Sequence, residues 1–382
     1  MDKVIYLHIG TTKTGTSSIQ NFLYLNRSFL AKKGYCFKRL PIICYEHYDR
    51  NRNGMFIGGH RRLAIIGQVP IKIRDRILEF GLKQVEKQLK HFSTVILTDE
   101  SLWGFFQKTG YKNLKRIKAF ADDNNALLKL IVYLRPQEDW IESIYRQSIK
   151  QCKSGKNRPE WGEFISHPEQ WPKTDYYEGL RHLSDIVGKE NIIVRIYDRK
   201  EFMGGKAEND FLQAIGLDPS EGYVIPNEEK NTSISPNYIE IKRILNQLEG
   251  VGNITHNDLI YGQLATEACS RNLRKSSRET FMNAQERAMI RKLYEDGNQK
   301  IIKEYLKDDR KELFPAPKEA PVWNKDNPDL YEDTVLMLGY MLLEQEIEIT
   351  KLKRTVYLRL KIYDKCKAVF DKLIQHIVGG TA

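Results

Sequence analysis

Several features typical of membrane, secreted or metal-binding proteins are missing from this sequence of 382 residues. The longest apolar run, residues 335–343, is far shorter than the ~20 residues that a bilayer-spanning helix requires. The N-terminal sequence MDKVIYLHIG enters a strand-like segment at once and lacks the layout of a signal peptide, so we expect a cytoplasmic protein. The five cysteines are odd in number and lack CxxC spacing, so we expect neither a disulfide framework nor a metal site.

The charge balance favours anionic partners. There are 61 Lys and Arg residues against 50 Asp and Glu residues, a formal net charge of +11, which suits phosphate, sulfate, acidic glycans or anionic lipid. More than half of this excess lies in residues 351–372, where eight Lys or Arg residues stand against two Asp residues. A nucleic-acid-binding module is disfavoured, because the excess is not spread along a stripe with stacking aromatic residues.

The order of apolar segments predicts an α/β fold. Four short, β-branched runs are typical of buried parallel strands, at residues 4–9, 94–97, 130–134 and 191–197. Helical patterns lie between and after them, at residues 17–31, 71–91, 114–124, 138–150, 175–187, 236–248 and 283–306. We therefore expect a central parallel sheet flanked by helices, of P-loop nucleotide-kinase-like topology, with a helical C-terminal extension. Ligands of such sheets bind beyond the carboxyl ends of the strands.

The C-terminal region is predicted to be separate from this domain. Three prolines within residues 314–321 indicate a linker, so we divide the chain into a domain at 1–314, a Pro-rich linker at 315–329 and a basic amphipathic tail at 330–382. Apolar residues at helical spacing predict one long helix or two over residues 333–378. Three interpretations stay open for the tail: docking on its own domain, self-association as a coiled coil, and contact with a membrane surface.

The first segment with recognisable chemistry is the loop HIGTTKTGTSSIQ, which follows the first predicted strand. A strand, a glycine-bounded loop and a helix start together present backbone N–H groups to an anion. Gly10 and Gly15 permit the tight turn, and Lys13 supplies a positive charge. A plain helix cap by Thr16 or Ser17 is the alternative, but capping does not need a lysine between two glycines. The sequence therefore predicts an anion site here.

The position of the lysine separates two kinds of phosphate loop. A Walker A loop has its lysine directly after the second glycine, whereas Thr16 follows Gly15 here and the lysine lies inside the loop. The segment closely resembles the phosphosulfate-binding loop of sulfotransferases, which use 3′-phosphoadenosine-5′-phosphosulfate (PAPS) as sulfuryl donor. The resemblance implies donor contacts from Thr12, Lys13, Thr14, Gly15, Thr16 and Ser17. Thr12 stands where many relatives have proline, and we expect this difference to alter loop rigidity rather than chemistry.

A second anion site is expected for the 3′-phosphate of such a donor. Arg135 ends the predicted strand at 130–134, and Ser143 lies eight residues later in the following helix. A guanidinium fork with a hydroxyl suits a terminal phosphate, although a plain ion pair of Arg135 is the alternative. The pair resembles the 3′-phosphate motif of sulfotransferases, and LRPQEDWIESIYRQ is similar to the form found in bacterial carbohydrate sulfotransferases. Looser similarity extends over residues 4–314.

The acceptor hydroxyl also needs a base. Glu100 follows the predicted strand at 94–97 and resembles the acid that many carbohydrate sulfotransferases place in the acceptor cleft. Asp99 is the weaker alternative, and an acid at this strand end would also suit the metal site of a kinase. His60, within GGHRRL, is the other base candidate because histidine titrates near neutral pH, and with Arg61 it is expected to contact the acceptor. His8, inside the first strand, is expected to be buried.

These interpretations combine into one expectation of function. The resemblance implies a sulfotransferase that moves a sulfuryl group from PAPS to a hydroxyl of a carbohydrate, such as a bacterial surface polysaccharide, and releases 3′-phosphoadenosine-5′-phosphate (PAP). Lys13 is expected to stabilise the leaving group, with Glu100 or His60 as base and without a metal ion. We expect a cytoplasmic enzyme. A peripheral location at the inner face of the membrane is the alternative. A P-loop nucleoside or sugar kinase using ATP and Mg²⁺ is the alternative.

Overall fold

The computed structural model describes residues 3–38, 52–58, 71–150, 159–226, 234–247, 279–317 and 319–378. The chain divides into two compact units. Unit 1 comprises Met1–Tyr145, Gly162–Lys230 and Met282–Glu319, and unit 2 comprises Arg146–Trp161, Asn231–Phe281 and Ala320–Ala382. Unit 2 therefore combines two internal segments with the C-terminal region.

Unit 1 is built on a parallel sheet of five described strands. The strands are β1 (Lys3–His8), β2 (Tyr35–Cys36), β3 (Thr94–Thr98), β4 (Ala126–Leu134) and β5 (Ile192–Ile196). Their spatial order is β2-β3-β1-β4-β5, and every described pairing is parallel. The predicted α/β class with a central parallel sheet is therefore confirmed.

The sheet is buried on both faces, as the continuous apolar runs predicted. Alternate residues of β1 point to opposite sides. Ile5 and Leu7 belong to one apolar cluster, and Tyr6 belongs to the other. Both faces of the described sheet are packed, so polar side chains that follow the carboxyl ends of its strands are placed where such sheets bind ligands.

Helices occur in all seven segments where the periodicity predicts them, and three further helices, Leu102–Lys108, Trp161–Ile165 and Ala207–Ala214, were not predicted. The helices of unit 1 are α1 (Thr16–Leu25), α2 (Arg27–Lys32), α3 (Ile71–Leu89), α4 (Leu102–Lys108), α5 (Lys112–Asp123), α8 (Tyr176–Val187), α9 (Ala207–Ala214) and α11 (Ala284–Ile301). Helices α6 (Gln137–Lys150) and α7 (Trp161–Ile165) each include residues of both units, and α10 (Pro236–Leu245) and α12 (Asp329–Val378) belong to unit 2. A π-helical turn, Ile302–Leu306, extends α11.

Two local differences have physical causes. The helix predicted at 17–31 is broken at Asn26, whose side chain donates to the carbonyl oxygens of Phe22 and Val224 and accepts from the Val224 amide. Strand β2 was not predicted because two residues are too short to show a period. Neither difference changes where β1, β3 and β4 end, so the segments that follow these strands lie where they were predicted.

Unit 2 is helical in its described part. Met337 and Met341 of α12 pack against Tyr238 and Ile241 of α10. The region predicted as tail forms one continuous helix of 50 residues, which decides between the one-helix and two-helix alternatives. None of the helices in the described ranges is both long enough and apolar enough to cross a bilayer.

Candidate functional site

The anion loop lies where the strand order of the sheet reverses. Strand β1 is central, with β3 on one side and β4 on the other, and the chain leaves its carboxyl end into the loop that starts α1. This is the position at which open parallel sheets bind ligands. The structure thus brings the predicted loop to the carboxyl edge of unit 1.

The loop is held to strand β4 by backbone and hydroxyl contacts. The Tyr133 carbonyl accepts from both the amide and the hydroxyl of Thr11, each at 3.0 Å, and the Tyr133 amide donates to Gly10 at 2.7 Å. The Thr14 hydroxyl donates to the Thr11 carbonyl at 2.6 Å. Lys13, in the middle of the loop, has a positive φ of 68° and is exposed. The loop is therefore rigidly anchored, while its lysine faces solvent.

Both loop glycines are required by geometry. Gly10 has φ 110°, and a Cβ there would lie 2.5 Å from the carbonyl oxygen of Glu100. Gly15 has φ 69°, and a Cβ there would lie 2.9 Å from the Tyr197 ring. Real Cβ atoms essentially never lie within 3.0 Å of such atoms, so the backbone of Glu100 or the ring of Tyr197 would have to shift. The loop backbone consequently sits directly against the residue predicted as base.

The N-terminus of α1 has no side-chain cap, which leaves it suited to binding an anion. Gly15 occupies the N-cap position in a left-handed conformation, and no side chain caps it. The plain cap by Thr16 or Ser17 is therefore wrong. The Ser18 hydroxyl instead donates to Glu208. The first amide groups of a helix lack intrahelical acceptors, so an uncapped start beside Lys13 offers donors to a phosphate or sulfate oxygen.

The second predicted anion residue meets the first loop. Arg135 directly follows β4, and its Nη1 donates to the carbonyl oxygen of Lys13 at 2.9 Å. Tyr176 donates its hydroxyl to the Arg135 carbonyl at 2.9 Å. Ser143 is half-buried on α6, the helix that follows. The ion pair proposed as the alternative role of Arg135 does not occur among the described contacts.

Thr12 connects the loop to the helix that follows β4. Its hydroxyl accepts from Trp140 Nε1 at 3.1 Å, and the Trp140 ring stacks on Tyr176 with centroids 5.6 Å apart. Proline has no hydroxyl to accept this bond. The threonine thus ties the loop to α6, the helix that carries Ser143.

Glu100 lies at the end of β3 in a cluster of polar side chains. Its Oε2 accepts from Gln20 Nε2 at 2.7 Å and lies 3.2 Å from Arg52 Nε. Burial raises the pKa of Glu100, Arg52 opposes this shift, and the charge of Asp99 adds to it. Gln20 and Arg52 were not predicted, because no sequence pattern marks two residues that meet Glu100 from distant parts of the chain.

Asp99 is engaged differently from its neighbour. Its Oδ1 accepts from the amide and hydroxyl of Ser101 at 2.9 and 2.8 Å and from Arg52 Nη2 at 2.5 Å, and the side chain is buried. These bonds fix the turn that begins α4. The Glu100 carboxylate thus contacts Gln20 of α1 and Arg52, whereas Asp99 holds the turn before α4.

His8 is buried behind the site, as expected. Its Nδ1 lies 2.9 Å from Thr98 Oγ1, and Gln20 Nε2 lies 3.5 Å from the same oxygen. Burial lowers the pKa of His8 to about 4, against a smaller opposing effect of Asp99. The ring is therefore neutral near pH 7, and a polar chain runs from His8 through Thr98 and Gln20 to Glu100.

The predicted acceptor contacts His60 and Arg61 lie outside the described residues. A separate cavity of about 350 Å³ opens at the start of α8. Its lining includes Gln107, Tyr111, Thr174 and Tyr294, and none of the predicted site residues.

Comparison with known proteins identifies no family. No family model matches the chain. A stretch of 185 residues is 31% identical to a protein of Archaeoglobus fulgidus described as an uncharacterized protein. The match covers 48% of this chain and 47% of that protein, so the chain spans about half the length of this relative.

Proposed function

We propose that this chain is a PAPS-dependent sulfotransferase that acts on a hydroxyl group of a carbohydrate. The observation that supports this most strongly is the meeting of the two predicted anion elements at one sheet edge. Arg135 binds the carbonyl oxygen of Lys13, within the loop that presents the uncapped start of α1. A donor with phosphate groups at both its 5′ and 3′ positions needs two such elements close together.

The loop suits the reacting end of the donor. The amides before and within the first turn of α1 would hold the 5′-phosphosulfate oxygens, because helix starts favour anions. Lys13 lies at the turn of the loop and is exposed, whereas Thr11 and Thr14 are buried and hydrogen-bonded. Its ammonium would therefore meet the negative charge that develops on the bridging oxygen as the bond to sulfur breaks.

Arg135 suits the remote 3′-phosphate. One guanidinium nitrogen is used by the Lys13 carbonyl, whereas Nε is buried and makes no hydrogen bond to any residue that the structure describes. A buried donor without a partner costs about 1–3 kcal/mol. A phosphate oxygen would remove that cost with a charge-assisted bond, and Ser143 on the adjoining helix would add a hydroxyl.

The acceptor reaction needs one base and one leaving group. The acceptor oxygen attacks sulfur as the bond between sulfur and the 5′-phosphate oxygen breaks, and the acceptor proton passes to the Glu100 carboxylate. Burial raises the pKa of Glu100 and so strengthens the carboxylate as a base, while the positive charge of Arg52 opposes this shift. PAP and the sulfated carbohydrate leave. A cytoplasmic location forms part of this proposal.

A nucleotide kinase is the competing function. It would use the acid at the end of β3 to hold Mg²⁺. Asp99 occupies that position, but its Oδ1 already accepts bonds from Ser101 and Arg52. The placement of Lys13 inside the loop also departs from the kinase pattern. Both observations favour sulfuryl transfer over phosphoryl transfer.

Transfer of radiolabelled sulfate from PAPS to a panel of polysaccharides tests the function. Lys13→Ala should lower kcat about 100-fold or more, because it removes a charge that acts on the transition state. Arg135→Ala should mainly raise the KM for PAPS, since the 3′-phosphate is remote from sulfur. Arg116→Ala, which removes a surface ion pair with Asp75, is the matched control. Equal effects of the first two changes on PAPS affinity, with kcat intact, would contradict the assignment.

A further inference from the structure

The C-terminal helix α12 carries an apolar stripe with a spacing of seven residues. We define the α12 stripe as Val335, Leu342, Ile349, Val356 and Tyr363. Among the intermediate positions, three residues further along, Leu338 and Leu352 are apolar, whereas Gln345 and Arg359 are polar. The sequence repeats the spacing at 370 and 377. A sustained seven-residue repeat of apolar residues is the pattern of a coiled coil.

The stripe is exposed within the described chain. Leu342 is 67% exposed, Leu352 56%, Val356 55% and Tyr363 64%. Among the side chains of α12 that the structure describes, the buried ones lie in its first turns, where Met337 and Met341 pack against α10. From residue 345 to residue 369 every side chain is exposed. Helices in proteins gain most of their stability from packing an apolar face, so this length of helix needs a partner surface.

The charges beside the stripe change sign along the helix. Glu344, Glu346 and Glu348 are followed by Lys351, Lys353 and Arg354. Consider a second copy of α12 that runs in the opposite direction, with the twofold axis between residues 350 and 351. This arrangement would place each acidic segment against the basic segment of its partner. A parallel pair would place Arg359, an intermediate position of the repeat, against the partner subunit's Arg359. The antiparallel pair instead places Arg359 against the partner subunit's Leu342.

We infer that α12 forms an antiparallel coiled coil with a second copy of this chain. In the antiparallel register, each residue of the α12 stripe lies opposite an intermediate position of the partner helix. Ile349 therefore contacts the partner subunit's Leu352. It also brings Glu346 beside the partner subunit's Lys353, and symmetry repeats this ion pair. An anionic membrane surface would attract only the basic half and repel the three glutamates, whereas a second copy uses both signs.

Light scattering on the full-length chain after size-exclusion chromatography tests the inference. The chain should be a dimer, and Val356→Asp should make it a monomer, because it places a charge in the seam. Tyr357→Asp is the matched control: Tyr357 is 62% exposed and adjacent, but it lies off the stripe. This variant should stay dimeric. Circular dichroism of each variant separates loss of pairing from loss of the helix.

A charge exchange tests the direction of pairing. Glu346→Lys and Lys353→Glu should each weaken the dimer, because each places like charges together, and the two changes combined should restore it. A wild-type chain that is monomeric at about 100 μM would overturn the proposal. A dimer that persists in Val356→Asp would overturn it as well. Binding of a monomeric chain to phosphatidylserine vesicles, abolished by Val356→Asp, would assign the stripe to membranes instead.

Discussion

Acidification should destabilise unit 1 through His8. The ring is buried, so the folded protein keeps it neutral until about pH 4, whereas an unfolded chain protonates it near 6.5. Below 6.5 the unfolded state therefore binds more protons, and the free energy of unfolding falls as pH decreases, until the folded-state pKa is passed. One pKa unit is about 1.4 kcal/mol, so the complete loss is about 3 kcal/mol.

Most of this loss occurs in an accessible range. Between pH 7 and pH 5 linkage gives about 2 kcal/mol. The assay is urea unfolding followed by tryptophan fluorescence at both pH values, for the wild type and for His8→Asn. The asparagine amide retains a polar group facing Thr98 and does not titrate. The variant should lose about 2 kcal/mol less than the wild type on acidification. An identical pH dependence in both proteins would refute the reasoning, since contributions from all other groups cancel.

Further predictions concern the base and the loop. Arg52→Met should raise the pKa of Glu100 further, because the opposing charge is removed, and should move the acid limb of the kcat/KM profile to higher pH. Arg116→Met is its control. An acid limb that stays at the same pH in Arg52→Met would show that Glu100 is not the base of the reaction. Gly15→Ala should lower the free energy of unfolding by about 3 kcal/mol, against about 1 kcal/mol for Gly110→Ala, measured by urea titration. Both glycines have positive φ, but a Cβ meets no atom within 4 Å at Gly110, so equal losses would contradict the predicted clash.

The fold followed from the sequence because its signals are local. Long apolar runs between helical periods identified β1, β3, β4 and β5, and the rule that ligands bind at carboxyl ends located Lys13, Glu100 and Arg135 at one edge. Strand β2 escaped because it has two residues and therefore no period.

The surroundings of Glu100 could not be predicted in the same way. Arg52 and Gln20 reach it from separations of 48 and 80 residues, and neither belongs to a motif. Such long-range polar contacts depend on the path of the folded chain, which propensity and periodicity do not encode. The hydrogen bond between Thr12 and Trp140 is another such long-range contact. In the sequence, the replacement of proline by Thr12 indicated only that the loop differs from that of many sulfotransferases.

Isothermal titration calorimetry with PAP and with ATP tests the central claim most directly. PAP should bind without Mg²⁺, and ATP should bind more weakly, because ATP lacks the 3′-phosphate that Arg135 and Ser143 would hold. Arg135→Ala should weaken PAP binding about 10-fold or more while leaving ATP binding nearly unchanged, as expected for loss of a charge-assisted bond. Tighter binding of ATP in the presence of Mg²⁺ than of PAP would contradict the account and identify the loop as a nucleotide-kinase site.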